Sequence, residues 1–230
     1  MQPLQRLVAS DGYEVMLFPL PYMYISQGEN GNVSHQGTLN MDFIGWGANG
    51  RIYDAPYYAP CSCKCVGTYD TNNNGRIWTS LDRVHCADGS LQVVTFMTYH
   101  DENPIASVGD VFTQGDLIGH TGTAGWTTGD HVHFNTAVGS YQGFVNVPPD
   151  NHNQLKNSAH IYDICYVNDT NLYRPMTYPW KTYTAPIPPT PTFRNFKKFP
   201  WVLYARKLRE KRYWHNFNNY VTIILVVKKS

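Results

Sequence analysis

Ala87-Asp88-Gly89-Ser90, followed by Leu91-Gln92-Val93-Val94-Thr95-Phe96-Met97-Thr98-Tyr99, is the stretch whose reading decides the fold. An Asp-Gly pair at the centre of a turn is what tight hairpins prefer. The residues after it are rich in β-branched and aromatic side chains, which suit a pleated surface. Upstream, Arg76-Ile77-Trp78-Thr79-Ser80-Leu81 and Val84-His85-Cys86 read as strands, entered through the turn Asn72-Asn73-Asn74-Gly75. No long apolar stripe of helical period interrupts residues 37–147. Downstream, glycines at 109, 115, 119, 122, 125 and 129 mark a tightly turned stretch where helices are disfavoured. The pattern predicts a mainly β chain organised as an antiparallel meander.

The bulk composition agrees. Of 230 residues only 15% are charged, while 14% are aromatic and 18 are glycine. Such a chain is neither a disordered polyampholyte nor a coiled coil. Its formal net charge of +1 conceals an asymmetry. Residues 1–180 carry seven basic and sixteen acidic side chains, a balance of −9; residues 181–230 carry eleven basic and one acidic, a balance of +10. Organisation follows the charge: a β domain over 1–150, an Asn- and Tyr-rich extension over 151–183, a Pro/Thr linker over 184–192 and a basic aromatic tail over 193–230.

Three short motifs carry chemistry. In Gly129-Asp130-His131-Val132-His133-Phe134, strand alternation sends His131 and His133 to one face and Val132 and Phe134 to the other. Such a pair can ligate one metal, or one ring can ligate while the other serves a bound water; two exposed strand histidines fit the same pattern. Ser34-His35-Gln36-Gly37 precedes Met41-Asp42-Phe43, where Asp42 alternates with apolar neighbours as a carboxylate facing a cleft does; an exposed strand aspartate fits equally. Thr98-Tyr99-His100 closes an apolar strand with a histidine, which taken alone fits a satisfied core or surface residue better than a catalytic one. Two histidines and one aspartate are an acceptable ligand set for catalytic zinc, which keeps a fourth position open.

Here the sequence resembles the lysostaphin-type zinc metallopeptidases, which cut the peptide part of bacterial peptidoglycan. The resemblance runs through Val108-Gly109-Asp110-Val111, Gly115, Leu117-Ile118-Gly119, Gly122-Thr123-Ala124-Gly125 and Thr127-Thr128-Gly129 into His131-Val132-His133-Phe134, with Ala59-Pro60 upstream. It covers about residues 33–136. It implies a two-layer antiparallel β-sheet domain with a central groove, one zinc ion on His35, Asp42 and His133, and catalytic histidines at His100 and His131. It also implies an endopeptidase acting on peptidoglycan peptides, most like phage endolysin or tail-associated members. Six residues separate His35 from Asp42 where the family usually has three, a longer loop like that of phage members. Thr98 and Asp101 stand where the family usually has Tyr and Leu, which leaves the role of Tyr99 open. Two rivals share the fold: a binding or regulatory protein without catalysis, and a structural component of a phage tail.

The remaining histidines, His85, His120, His152, His160 and His215, have no partners at ligand spacing and read as structural or surface residues. Cys61-Ser62-Cys63-Lys64-Cys65 puts three thiols on one strand face. They read as small buried hydrophobes of a reducing compartment, with a disulfide or a second metal site involving Cys86 as alternatives. Met1-Gln2-Pro3-Leu4-Gln5-Arg6 lacks the features of a secretory signal, and the longest apolar run, Val221 to Val227, is too short to span a membrane. The expectation is a host-cytoplasmic protein that reaches the wall at lysis, or a component of the virion tail. In the tail, Trp201, Tyr204, Ala205 and Leu208 fall on one helical face. Lys197, Lys198, Trp201, Arg206, Lys207, Arg209 and Trp214 are its candidate contacts for anionic wall polymers, with anionic lipid or the acidic body as alternatives. No nucleic-acid module accompanies the charge.

Overall fold

The computed structural model describes every residue except 1, 3, 70, 71, 73, 150, 151, 168–171 and 186–230. The tail residues Lys197, Lys198, Trp201, Arg206, Lys207, Arg209 and Trp214 therefore lie outside the described residues. Among those described, the chain is mainly β, with one short helix. The strands are β1 (Met23–Gln27), β2 (Met41–Gly47), β3 (Gly50–Ile52), β4 (Pro56–Tyr58), β5 (Cys63–Tyr69), β6 (Gly75–Ser80), β7 (Val84–His85) and β8 (Leu91–Gln92). They continue as β9 (Val94–Tyr99), β10 (Val111–Phe112), β11 (Leu117–His120), β12 (Val132–Val138), β13 (Phe144–Val147), β14 (His152–Leu155), β15 (Ser158–Ala159) and β16 (Leu172–Arg174). The helix, α1, is Ile161–Ile164.

The main sheet runs β10-β5-β6-β9-β12-β2-β1-β16, with β3 added to β2 and β15 to β12. Its pairings are antiparallel except for β1 with β16. The Asp-Gly turn does join a hairpin, β7 to β8, and after Val93 the chain enters the sheet as β9, between β6 and β12. Residues 152–174 supply β14, β15 and β16, short polar strands without the alternation that would have announced them.

The sheet is apolar on both faces, unequally. One face carries the larger core: Phe43, Val132, Phe134, Phe96 and Trp78 are fully or almost fully buried there. Their rings meet edge-on or stacked, with Phe18 4.7 Å from Phe43 and Trp78 6.0 Å from Phe96. Edge-to-face and offset geometries are the ones that favourably align ring quadrupoles. The other face holds a smaller cluster of Ile77, Met97, Tyr99, Ala137 and Leu155, covered by Tyr141 and Phe144. Beyond that cluster the same face carries polar groups. This half-covered face is where Asp42 and His133 stand, two of the candidate site residues.

Candidate metal centre and its groove

Register places the site. In the three central strands His133 of β12 lies opposite Asp42 of β2 on one side and Tyr99 of β9 on the other. Directly opposed residues share a face with Cβ atoms roughly 5 Å apart. A slip of one residue would turn Asp42 into the core. The larger core prevents this, because Met41 and Phe43, which flank Asp42, are fully buried in it.

His35 arrives from the loop before β2. Its Nδ1–H donates to the carbonyl of Gly28 (3.2 Å), which fixes the tautomer and leaves Nε2 as the free lone pair. That Nε2 lies 3.3 Å from His133 Nδ1 and 3.3 Å from Asp42 Oδ1, and His133 Nδ1 lies 2.9 Å from Asp42 Oδ1. Three ligand atoms thus form a nearly equilateral triangle. A tetrahedral zinc ion with bonds of about 2.0–2.1 Å to nitrogen and oxygen sets its ligand atoms about 3.3–3.4 Å apart. The donor set fits in chemistry and in spacing. Among the described residues these three are the group of His, Cys, Asp or Glu side chains at metal-ligating distance.

Asp42 is held twice. Gln27 Nε2 donates to its Oδ2 at 3.1 Å, leaving Oδ1 for the histidines. Gln27 reaches it because β1 is irregular between Ile25 and Gln27, and that shift pairs Gln27 with Asp42. Burial would raise the carboxyl of Asp42, but the imidazoles of His133 and His35 packed against it outweigh burial and hold the group well below the usual carboxylate range. His133 is shifted down by burial, against the pull of Asp42.

The two remaining histidines stand beside the triangle. His100 follows β9 in the left-handed region, at φ +79°, a conformation sparsely occupied by non-glycine residues. Its Nδ1–H donates to the carbonyl of Ala124 at 2.7 Å. His131 donates its Nδ1–H to the carbonyl of Gly129, also at 2.7 Å. A carbonyl only accepts, so both rings carry their proton on Nδ1 and present Nε2 as a base. The rings are 4.6 Å apart between centroids, and His131 Nε2 lies 3.5 Å from Asp42 Oδ1. Burial, and the neighbouring His131 and His133, push His100 down to about 4. Gly122 sits between the pair. It bridges to His131 through two backbone hydrogen bonds, and a Cβ there would lie 2.3 Å from the His100 carbonyl oxygen. Glycine is the residue this approach permits.

These side chains open into a groove of about 540 Å³ that contains the atoms of His35, Asp42, His100, His131 and His133. Sequence reasoning missed several of its walls. Arg51, Gln27, Asn40, Tyr69 and Trp126 line it, and so does His152, which read as an incidental histidine and stacks on Trp126 at 5.8 Å. None of them has a spacing signal, because each comes from a different loop or strand. His85 and His160 instead pair with Asp11 and Glu29 at 2.9 and 2.6 Å, away from the groove. All five cysteines are free and buried. Cys63 and Cys65 share one face as the alternation implied, but with Cys61 and Cys86 they do not gather at metal-ligating distance.

No family model matches the chain. It is 41% identical over 174 residues to Morphogenesis protein 1 of Bacillus phage B103, an alignment covering 75% of this chain and 46% of that protein. The chain thus spans about half the length of the curated relative it matches. Solved structures with partial likeness include a zinc-containing peptidase from Vibrio cholerae (18% identity, 67% of this chain and 46% of the other, TM-score 0.40). They also include the catalytic domain of the antimicrobial peptidase lysostaphin from Staphylococcus simulans (23%, 52% and 80%, TM-score 0.38). A third is the catalytic domain of a prophage-encoded M23 protein from Enterococcus faecalis (17%, 55% and 88%, TM-score 0.39).

Proposed function

We propose that the chain is a zinc-dependent endopeptidase that hydrolyses peptide cross-links of bacterial peptidoglycan for a phage, in host lysis or in penetrating the wall at infection. The observation that carries this reading is the triangle of His35 Nε2, Asp42 Oδ1 and His133 Nδ1, flanked by two histidines whose Nε2 atoms are free. His35, Asp42 and His133 would hold one zinc ion. When bound, such an ion supplies a Lewis acid and a water that ionises near neutral pH.

The chain's own residues do the rest. His100, neutral at pH 7, accepts a proton at Nε2 without first losing one. His131 Nε2 stands beside it, and in the protonated ring it is placed to donate to the developing oxyanion or to the leaving amine. The carbonyls of Ala124 and Gly129 keep both rings from rotating. The groove would take an extended peptide, and Gly129 in its wall brings no side chain into that space. The basic residues of 193–230 are proposed to meet anionic wall polymers. The name of the phage B103 relative favours a second reading, a part in building the particle; it is compatible with catalysis.

The test is direct. Purified protein with one equivalent of zinc should solubilise peptidoglycan, lose that activity to a chelator and regain it with zinc. Equal activity in His133→Ala would sink the proposal.

A further inference from the structure

We propose that Arg51 selects the substrate by binding a free carboxylate on the residue that flanks the scissile peptide bond. The inference rests on the peptidase reading above and names the substrate class of the same site.

Arg51 belongs to β3, which returns along β2 after the two-residue loop Ala48-Asn49. It lies opposite Trp46. Residues 42, 44 and 46 of β2 share one face, so Arg51 stands on the groove side of the strand that supplies Asp42. Its Nη2–H donates to the carbonyl of Asp130 at 2.7 Å, one residue before His131. Its guanidinium also lies over the ring of Tyr53, 4.6 Å from the centroid. The side chain is therefore anchored on the residue before a proposed catalytic histidine.

Charge points to the ligand. Among the described residues lining the groove, Arg51 is the one permanent cation. No carboxylate of the described residues forms an ion pair with it. The nearest in sequence to its anchor, Asp130, is engaged elsewhere: Oδ1 accepts from Thr121 Oγ1 at 2.8 Å and Oδ2 from the Asp54 amide at 3.0 Å. A guanidinium has five N–H donors, and one is used on Asp130. The remaining fork matches a carboxylate bidentately, which an ammonium or an amide would not. The wall beside it is bare: a Cβ on Gly129 would stand 3.6 Å from Arg51 Nη2, in the space a substrate oxygen would use.

The test uses two synthetic branched wall peptides that differ only in one flanking residue, free carboxylic acid in one and carboxamide in the other. With zinc-loaded wild type, kcat/KM should favour the acid by roughly tenfold to a hundredfold, the range of a hydrogen bond to a charged group. Arg51→Gln should abolish that preference, and Arg51→Lys should retain part of it. The same ratio should appear in Kd, measured by intrinsic fluorescence on metal-free protein. No preference in wild type overturns the inference. So does an equal loss on both peptides in Arg51→Gln, which would leave Arg51 only the task of holding the Asp130 carbonyl. If zinc binds but neither peptide nor whole wall is cut, the peptidase reading fails, and the Kd ratio still decides whether Arg51 selects the acid.

Discussion

Two regions of this protein are rich in metal-ligating residue types, and they have opposite fates. On the open end of the sheet, His35, Asp42 and His133 bring nitrogen and oxygen atoms to 2.9–3.3 Å of one another, with His100 and His131 beside them. In the larger core, Cys61, Cys63, Cys65, Cys86 and Cys165 are fully buried, and none of them joins such a group. Burial pushes each of these thiols up, whereas the carboxyl of Asp42, buried as well, is held down by partners. Burial alone keeps a group neutral; only converging partners stabilise the charged form that binds a cation.

The largest test of that contrast removes a vertex of the triangle. His133→Ala or Asp42→Asn should lower zinc affinity by a factor of roughly a thousand or more, since an ion held by three protein ligands loses a third of them. Triple substitution of Cys61, Cys63 and Cys65 by Ala should leave zinc stoichiometry unchanged, read by calorimetry and elemental analysis. A loss of zinc in the cysteine variant would erase the distinction between the regions.

Next come the histidines that flank the triangle. His100→Ala and His131→Ala should keep zinc yet lose wall-cleaving activity by roughly 10²–10⁴-fold, the usual contribution of a positioned acid or base. Loss of the metal in either variant would make that residue a ligand. Gly122→Ala should disturb both rings together, because its Cβ would meet the His100 carbonyl oxygen and the Glu102 amide nitrogen, at 2.3 and 3.0 Å. Backbone must move, at a cost of about 1–3 kcal/mol. A crystal structure of the variant with His100 and His131 undisplaced would refute the role given to this glycine.

How far could the sequence carry this picture? The β class was readable from the turn at 87–90 and the strand pattern after it, because hairpin chemistry is local. The five groove residues His35, Asp42, His100, His131 and His133 were found from alternation and from resemblance. Their meeting was not derivable from spacing, since Asp42 and His133 are ninety-one residues apart and touch only because β12 lies between β2 and β9. Gln27 stayed hidden for a different reason. Its partner is set by an irregularity in β1, and a single chain gives no sign of such a shift. The polar strands β14, β15 and β16 escaped because they are short and without a clean alternation. Arg51 and Trp126 are groove walls drawn from separate segments, so no local pattern unites them.

The smallest effect concerns the core cysteines and follows from the sign of their shifts. Burial raises the thiol of Cys86 from 9.0 to about 11, against a weak hydrogen bond from Gln92. In the folded protein the proton is therefore held where the unfolded chain has already released it. Below about pH 9 the thiol is protonated in both states and its contribution is fully present. As the pH rises from about 9 to 11, the unfolded state is stabilised by ionisation and the folded state is not, so stability falls. Two pH units correspond to roughly 2–3 kcal/mol for this one group. Urea denaturation at pH 8.0 and 10.5 should show the loss in wild type and a smaller loss in Cys86→Ala, with each compared with itself. The variant should also start less stable at pH 8.0, having lost a packed sulfur. If both proteins lose stability equally across that interval, Cys86 is not the group that titrates, and the alkaline limit of this fold lies in its other buried thiols or its tyrosines.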